Sequence, residues 1–369
     1  VTAGASYTRS LVSSNYAVSP GTQIANYMFS GTFSWELDVW GRVRRLVEAG
    51  VASAQASAAD LEATRLSTQA ALAQDYFQLR VLDGQKKLLD ETVVAYQKTL
   101  ELTKNRYASG VAAKADVLQA ETQLKTTESQ AIDVEVQRSQ MEHAIALLCG
   151  KPASIFSVSV KPLNLTPPEI PVGVPSELLE RRPDIAAAER LMAAANAQIG
   201  VAIAAYFPTI TLSATGGFQS SDFSNWLSWP SRFWSIGPAI AETIFDAGLR
   251  SAQTEQARAA FDAAVASYRQ IVLTAFQTVE DNLAALRILK QEAMKQEEAV
   301  RAAQQSLDIA VNQYKAGTVN YLNVIIAQTA LLSNEITALS IFNRQMTASV
   351  LLIQALGGGW STSALNTSN

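Results

Sequence analysis

Tyr27-Met-Phe-Ser-Gly-Thr-Phe-Ser-Trp-Glu-Leu-Asp-Val-Trp-Gly-Arg42 decides the fold. Up to Val39 it alternates. Tyr27, Phe29, Gly31, Phe33, Trp35, Leu37 and Val39 fall on one face, and Met28, Ser30, Thr32, Ser34, Glu36 and Asp38 on the other. Alternation over this length is the signature of a strand. Trp40-Gly41-Arg42 then enters, without a linker, a proline-free run to about Tyr107 with glycine only at Gly50 and Gly84. Its Ala, Leu, Gln, Glu and Lys favour helix. Apolar residues recur three to six apart (Leu61, Leu66, Leu72, Tyr76, Leu79), and alanine between them lets helices approach closely. A helix of ~65 residues is about 100 Å long, a rod rather than a globular helix.

The unit occurs twice. Tyr107-Ala-Ser-Gly110 returns as Tyr314-Lys-Ala-Gly317, Gly41 as Gly248, and Arg80-Val-Leu82 as Arg287-Ile-Leu289, each 207 positions later. A register held from strand through rod to turn means a duplicated unit. Gly110 and Gly317 suit the left-handed position that closes a helix, and shorter helices then return, about 113–148 and 320–356. A short helix at about 183–206 is expected to stack end to end with 114–148 alongside one rod. Gly150 to Pro175, rich in proline, reads as a collar of irregular structure and short strands. The register places the counterpart of the short helix before Val1. The expectation is that this helix, any targeting segment and the natural N-terminus lie outside this sequence.

The segments read as follows: 1–40 first β-hairpin, 41–149 first long helical hairpin, 150–178 equatorial connection, 179–207 short helix of the second repeat. Then come 208–247 second β-hairpin, 248–356 second long helical hairpin and 357–369 C-terminal tail.

Three more segments alternate. Ile210, Leu212, Ala214, Gly216 and Phe218 oppose Thr209, Thr211, Ser213 and Thr215; Trp234, Ile236, Pro238 and Ile240 oppose Ser235, Gly237, Ala239 and Ala241; Thr2 to Thr8 is a weaker version. Pro238 removes a ladder donor, so a bulge or kink is expected there. Such strands suit a half-buried sheet in a soluble domain or a transmembrane barrel, whose strands need about 9–11 residues. The aromatic residues Tyr27, Trp35, Trp40 and Trp234, toward strand ends, favour the second, because amphipathic rings prefer the membrane interface. Small barrels need about eight strands, and lipid tolerates no open sheet edge. Four membrane strands therefore require several chains to pool them.

Composition excludes other classes. Charged residues are 17 % and the net charge is −4, without a basic stripe for nucleic acid. A single cysteine, Cys149, and a single histidine, His143, offer neither a disulfide nor the usual metal ligands. No catalytic constellation, phosphate loop or cofactor motif is present. No run of 18 apolar residues forms a transmembrane helix, and no signal peptide is visible.

Leu178-Leu-Glu-Arg-Arg-Pro-Asp-Ile185, Trp35-Glu-Leu-Asp-Val-Trp-Gly-Arg42, Asn105-Arg-Tyr-Ala-Ser-Gly110 and Ala355-Leu-Gly-Gly-Gly-Trp360 extend this reading. With this arrangement the chain resembles the TolC family of outer-membrane efflux factors, and within it the OprM-type branch. The resemblance implies a mainly α fold with a membrane β-barrel. Three protomers, four strands each, would close a 12-stranded barrel, coaxial with a barrel of long helical hairpins in the periplasm. It implies a passive exit duct of a tripartite pump, with a periplasmic adaptor and an inner-membrane transporter as partners and outer-membrane lipid around the barrel. Some members carry a lipidated N-terminal cysteine; Cys149, mid-chain, is not its counterpart.

The resemblance places a periplasmic gate at Leu322, Asn323 and Ile326. Relatives commonly carry aspartates where this chain has Asn323 and Ile326, so closure here is expected by packing and dewetting. It also suggests a tip lock between Asp116 and Tyr314 of a neighbouring hairpin; alternatively Asp116 only stabilises its helix N-terminus and Tyr314 only packs. Gly110, Val111, Gly317 and Thr318 are candidates for adaptor docking as well as helix caps. A protein-secretion duct of the same fold and a soluble coiled-coil scaffold or adaptor stand as alternatives.

Overall fold

The repeat is carried into the strands and the long helices alike. The computed structural model describes residues 1–15, 21–161 and 181–362. Strands β1 (Thr2–Leu11) and β2 (Gln23–Glu36) precede helices α1 (Arg42–Ala108) and α2 (Lys114–Leu148). The short helix α3 (Pro183–Ala204) leads into β3 (Thr209–Ser220) and β4 (Arg232–Ala241), then α4 (Leu249–Ala316) and α5 (Tyr321–Ala355). Helices α4 and α5 each begin 207 residues after α1 and α2, as β3 does after β1. The left-handed glycines pair likewise: Gly41 with Gly248, Gly110 with Gly317, and Gly150 with Gly357. Most of the connection 162–178, residues 178–180 of the Arg-Arg-Pro-Asp motif and the tail beyond 362 lie outside the described residues.

The chain divides into two units, 1–56 with 188–268 and 57–187 with 269–369. The first contains one antiparallel sheet in the order β1-β2-β3-β4. Register runs unbroken through Pro238, which pairs with Leu212, so the expected bulge is absent. The reason is position: β4 is an edge strand, where a proline is tolerated. Each hairpin turns into its helix on a carboxylate. Asp38 accepts from the backbone N–H groups of Val43 (2.8 Å) and Arg44 (2.9 Å), and Arg42 Nε donates to Glu36 at 2.8 Å. Asp246 accepts from the N–H of Gly248 (3.1 Å) and from Arg250 Nε (2.6 Å). Those Arg250 contacts hold the Asp246 carboxyl below the usual carboxylate range. Within this unit α1 buries Ala49, Ala52 and Ala56, a seam at spacings of three and four that admits a neighbouring helix. Gly200 of α3 lies so near Arg45 that a Cβ would come within 3.0 Å of its side chain.

The second unit is built from the helical hairpins. Tyr96, Leu100, Val117, Leu124, Tyr314, Tyr321 and Val324, from four helices, form one buried cluster. The short helix does not stack on α2 as expected. Its leading residue Arg182 donates through Nη1 to Ala355 O of α5 at 3.0 Å, and through Nε and Nη2 to Asp184 at 3.0 and 2.7 Å. The α5 C-terminus is the negative end of its dipole and the α3 N-terminus the positive end of the next. A cation facing the first and a carboxylate facing the second make a joint, so α3 continues α5. Ala186 and Ala187 then pack on Ala59 of α1, with Trp360 against them.

Segment 156–161 pairs into no strand. A buried ion network holds it. Arg80 Nη1 donates to Asp83 (2.7 Å) and Ser159 O (2.8 Å), and Arg138 donates to Asp83 (2.7 Å) and Val158 O (2.7 Å). Glu142 accepts from the N–H of Val158 at 2.9 Å. Such a network specifies geometry more than it adds stability. Among the described residues, α5 is the one helix long and apolar enough to cross a membrane. The sequence reading, which sought an unbroken apolar run, missed it because polar residues are scattered through it. Glu335 and Arg344 interrupt its length, and Arg344 pairs with Glu292 of α4 at 3.2 Å, which suits a packed coil rather than a lipid-facing span.

Gly357, Gly358 and Gly359 all have positive φ, from 59° to 90°. A Cβ at Gly357 would stand 1.9 Å from Arg181 O, whereas one at Gly359 meets nothing within 4 Å. Gly359→Ala should therefore cost about 1 kcal/mol for its left-handed backbone alone. Gly357→Ala should cost several times that, because the α5–α3 joint must part. Chemical denaturation followed by circular dichroism measures both; equal losses would show that the close approach is not structural.

Candidate functional site

Register sorts the sheet into two chemically distinct faces. Cross-strand rows on one face read Trp35–Leu212–Pro238, Phe33–Ala214–Ile236 and Phe29–Phe218. Rows on the other read Ser34–Ser213–Gly237 and Thr32–Thr215–Ser235. The apolar face is uncovered: Trp35, Ile236 and Ile240 are exposed, and Trp234 is 77 % exposed. One unbroken apolar surface of this kind marks a place of contact rather than a stray exposed side chain.

Aromatic residues gather at both ends of the strands. At the loop end Tyr27 meets Tyr7 at 4.7 Å and Phe223 at 5.4 Å between ring centroids. At the helix end Trp40 stacks on Phe207 at 4.8 Å and its indole N–H donates to Pro208 O at 2.8 Å. From Tyr27 to Trp35 the strand rises about 26 Å, comparable with the ~25 Å apolar band of outer-membrane barrels before tilt. Trp234 lies in the row of Gly31 and Gly216, four residues in from Tyr27, where the two glycines leave room for its ring.

The helix turns form the second functional region. Gly110 N–H donates to Tyr107 O (2.9 Å) and Val111 N–H to Arg106 O (2.9 Å); Gly317 donates to Tyr314 O (3.0 Å) and Thr318 to Gln313 O (3.0 Å). This double bond pattern closes a helix at a left-handed glycine, and it leaves Gly110, Val111, Gly317 and Thr318 exposed at blunt tips. Leu322, Asn323 and Ile326 share the exposed side of α5, opposite buried Tyr321, Val324 and Ala327. The structure gives Asp116 and Tyr314 separate partners. Asp116 accepts from the N–H of Ala113 at 3.3 Å, closing its own helix start. Tyr314, 3 % exposed, places its hydroxyl 3.4 Å from Thr103 Oγ1 and lies under the Arg106 guanidinium at 4.7 Å. Arg106 also donates to Lys315 O at 3.0 Å. Sequence reasoning missed this clasp, because nothing local connects Arg106 and Thr103 with a tyrosine some 210 residues on.

The family model described as outer membrane efflux protein matches residues 1–151 and 174–358. The chain belongs to this family. It is 34 % identical over 333 residues to the antibiotic efflux pump outer membrane protein ArpC of Pseudomonas putida, covering 89 % of this chain and 68 % of that one. The toluene efflux pump outer membrane protein TtgC of Pseudomonas putida matches to the same extent, 34 % over 333 residues with 89 % and 68 % covered. The crystal structure of the outer membrane protein VceC from Vibrio cholerae superposes with a TM-score of 0.88 at 29 % identity, over 97 % of this chain and 86 % of that one. The chain is thus an outer-membrane efflux protein of the Gram-negative type, and the family is one of ducts rather than enzymes. The efflux-factor resemblance read from the motifs holds, and the mostly helical fold with four strands per chain agrees with it.

One pH dependence follows from the tip cluster. Burial, then the neighbouring Tyr314, Tyr96 and Asp116, pushes the Tyr321 hydroxyl well above the ordinary tyrosine range. An acid whose folded pKa is raised contributes stability in full below its unfolded value, about 10, and loses it as pH rises beyond that. Alkaline titration should therefore show Tyr321 ionising late among the ten tyrosines, together with loosening of the helices. Tyr321→Phe should remove that late step in ultraviolet difference spectra; a variant titrating like the parent would refute the assignment.

Proposed function

We propose that this chain is the exit duct of a tripartite efflux pump, three copies closing one 12-stranded barrel. The open edges of the sheet carry the reading. Strands β1 and β4 each pair on one side only, and an apolar sheet in lipid cannot leave a row of backbone groups unpaired. Pairing β4 of one copy with β1 of the next satisfies both edges and closes a barrel of adequate size. The apolar rows then face lipid and the Ser/Thr rows face water. A soluble scaffold would gain nothing from exposing Trp234 and Ile240.

The helices carry the duct into the periplasm and narrow it at their turns. Leu322, Asn323 and Ile326, exposed on one side of α5, would form stacked rings of three. With no carboxylate among them, closure is by apolar packing and dewetting. Asp116 closes its own helix and Tyr314 clasps the two repeats. The tips at Gly110, Val111, Gly317 and Thr318 suit docking of a periplasmic adaptor, and an inner-membrane transporter supplies the energy. Relatives named for antibiotic and toluene efflux suggest small, largely apolar cargo.

Planar bilayer recording tests this. The protein should form channels with low resting conductance and little block by multivalent cations from the tip side. Asn323→Asp, which installs a ring of carboxylates, should add cation selectivity and block. Strong multivalent block of the unmodified channel would count against an apolar gate, and absence of any channel against the duct.

A further inference from the structure

The four strands carry three charged residues, Arg9, Glu36 and Arg232. Glu36 belongs to the Ser/Thr side of the sheet and is taken by Arg42. Arg9 and Arg232 lie on the apolar side. Arg9 pairs with Ala25, two residues from the Tyr7–Tyr27 pair, and Arg232 pairs with Phe218, itself opposite Phe29. Each therefore stands one row, about 7 Å along the strands, from the tyrosine row, Arg9 toward the loops and Arg232 toward the helices. Both are exposed. At the helix end the arginines sit on carboxylates: Arg42 on Glu36, Arg44 on Asp38 and Arg250 on Asp246. At the loop end the contacts are of another kind. Arg9 Nη2 donates to the Gln23 amide oxygen at 2.6 Å. The Arg232 guanidinium lies 4.2 Å from the centre of the Trp229 ring, which is 73 % exposed. Asp222, the one acid of loop 219–231, accepts from the N–H of Ser224 at 3.0 Å. Among the described residues, neither Arg9 nor Arg232 forms an ion pair.

A cation on a lipid-facing surface is costly near the middle of a bilayer and tolerated at its surface. Two of them without acids are offset by an anion from outside. The aromatic residues fix the level. Tyr7, Tyr27, Phe223 and Trp226 gather their rings at this row, and such rings settle between headgroups and chains. We propose that Arg9 and Arg232 form a docking site for a lipid whose headgroup ends in an uncompensated phosphate. The guanidinium groups hold the phosphate, and the chains lie along the apolar rows. The inference rests on the exit-duct reading, which turns this face to lipid and the loop end to the outer leaflet. A guanidinium fork matches phosphate oxygens two at a time. The rows that follow, Phe33–Ala214–Ile236 and Trp35–Leu212–Pro238, carry apolar surface on toward the helix end. Arg9 is on β1 and Arg232 on β4, the two edges of the sheet. Closing the barrel sets Arg232 of one copy and Arg9 of the next on neighbouring strands at the same girdle, so one headgroup meets both.

Lipid retention tests this. The protein is reconstituted in bilayers of equal phosphatidylcholine and phosphatidic acid, extracted in detergent and washed, and its bound lipid is counted by mass spectrometry. Phosphatidic acid, which ends in a bare phosphate, should stay bound in excess over phosphatidylcholine by roughly five-fold per arginine at low salt. Arg9→Gln/Arg232→Gln should bring the two lipids to parity, whereas Arg44→Gln, at the helix end, should leave the excess unchanged. Arg9→Lys/Arg232→Lys keeps both charges and should keep an excess. Parity in the lysine variant as well would trace the loss to the fold and overturn the assignment, as would an equal loss in Arg44→Gln. Inorganic phosphate in the wash should displace no more lipid than chloride of equal ionic strength. Full displacement by phosphate would mark a site for the free anion and overturn the lipid. Parity in an unmodified protein that forms channels overturns this inference and leaves the duct standing. A protein that enters no bilayer refutes the duct reading, and this inference falls with it.

Discussion

Backbone hydrogen bonding at the edge of a four-stranded sheet is the constraint on which the rest depends. The sheet turns large apolar side chains outward on one face and hydroxyls and glycines on the other, with β1 and β4 each paired on one side. In water such a face invites aggregation. In lipid the face is satisfied but the edges are not. Under the proposed duct, closure with further copies resolves both, and assembly then follows from the accounting of donors and acceptors rather than from any special contact. The carboxylate-capped junctions at Asp38 and Asp246 pass each strand pair directly into its helix.

Duplication supplies the rods, and its imperfections supply individuality. The first repeat gathers buried Arg80 and Asp83 with half-buried Arg138 and Glu142 around segment 156–161. The second has Arg287, Lys290, Gln345 and Ser349 at the equivalent places. A buried carboxylate without its cations would be costly, so the network is lost as a whole rather than piecemeal. At the tips the difference runs the same way: one repeat offers Arg106 and Thr103, the other Gln313 and Ala310.

The joint between α5 and α3 shows how a short motif acts across the chain. Arg182 reads the carbonyl end of one helix while Asp184 sits at the amino end of the next. Three left-handed glycines reverse the chain beside them and deliver Trp360 onto the alanine seam. The two helix ends are thereby joined, although about 170 residues separate them in sequence.

Period and composition alone determined the local elements. The proline-free rods, the glycine stops and the 207-residue register appear in the structure within a residue or two, and the alternation from Tyr27 to Val39 appears as a strand shifted to Gln23–Glu36, because each follows from contacts between near neighbours in sequence. The efflux-factor reading was legible from the same stretches. What the tertiary structure decided was which distant surfaces meet. It put α3 on α5 instead of α2, gave Tyr314 the partners Thr103 and Arg106 within the chain, and kept Pro238 in register at an edge. Those choices turn on dipoles, burial and close backbone approach between residues far apart in the chain, and a one-dimensional pattern records the candidates for such contacts but not the partner each one takes.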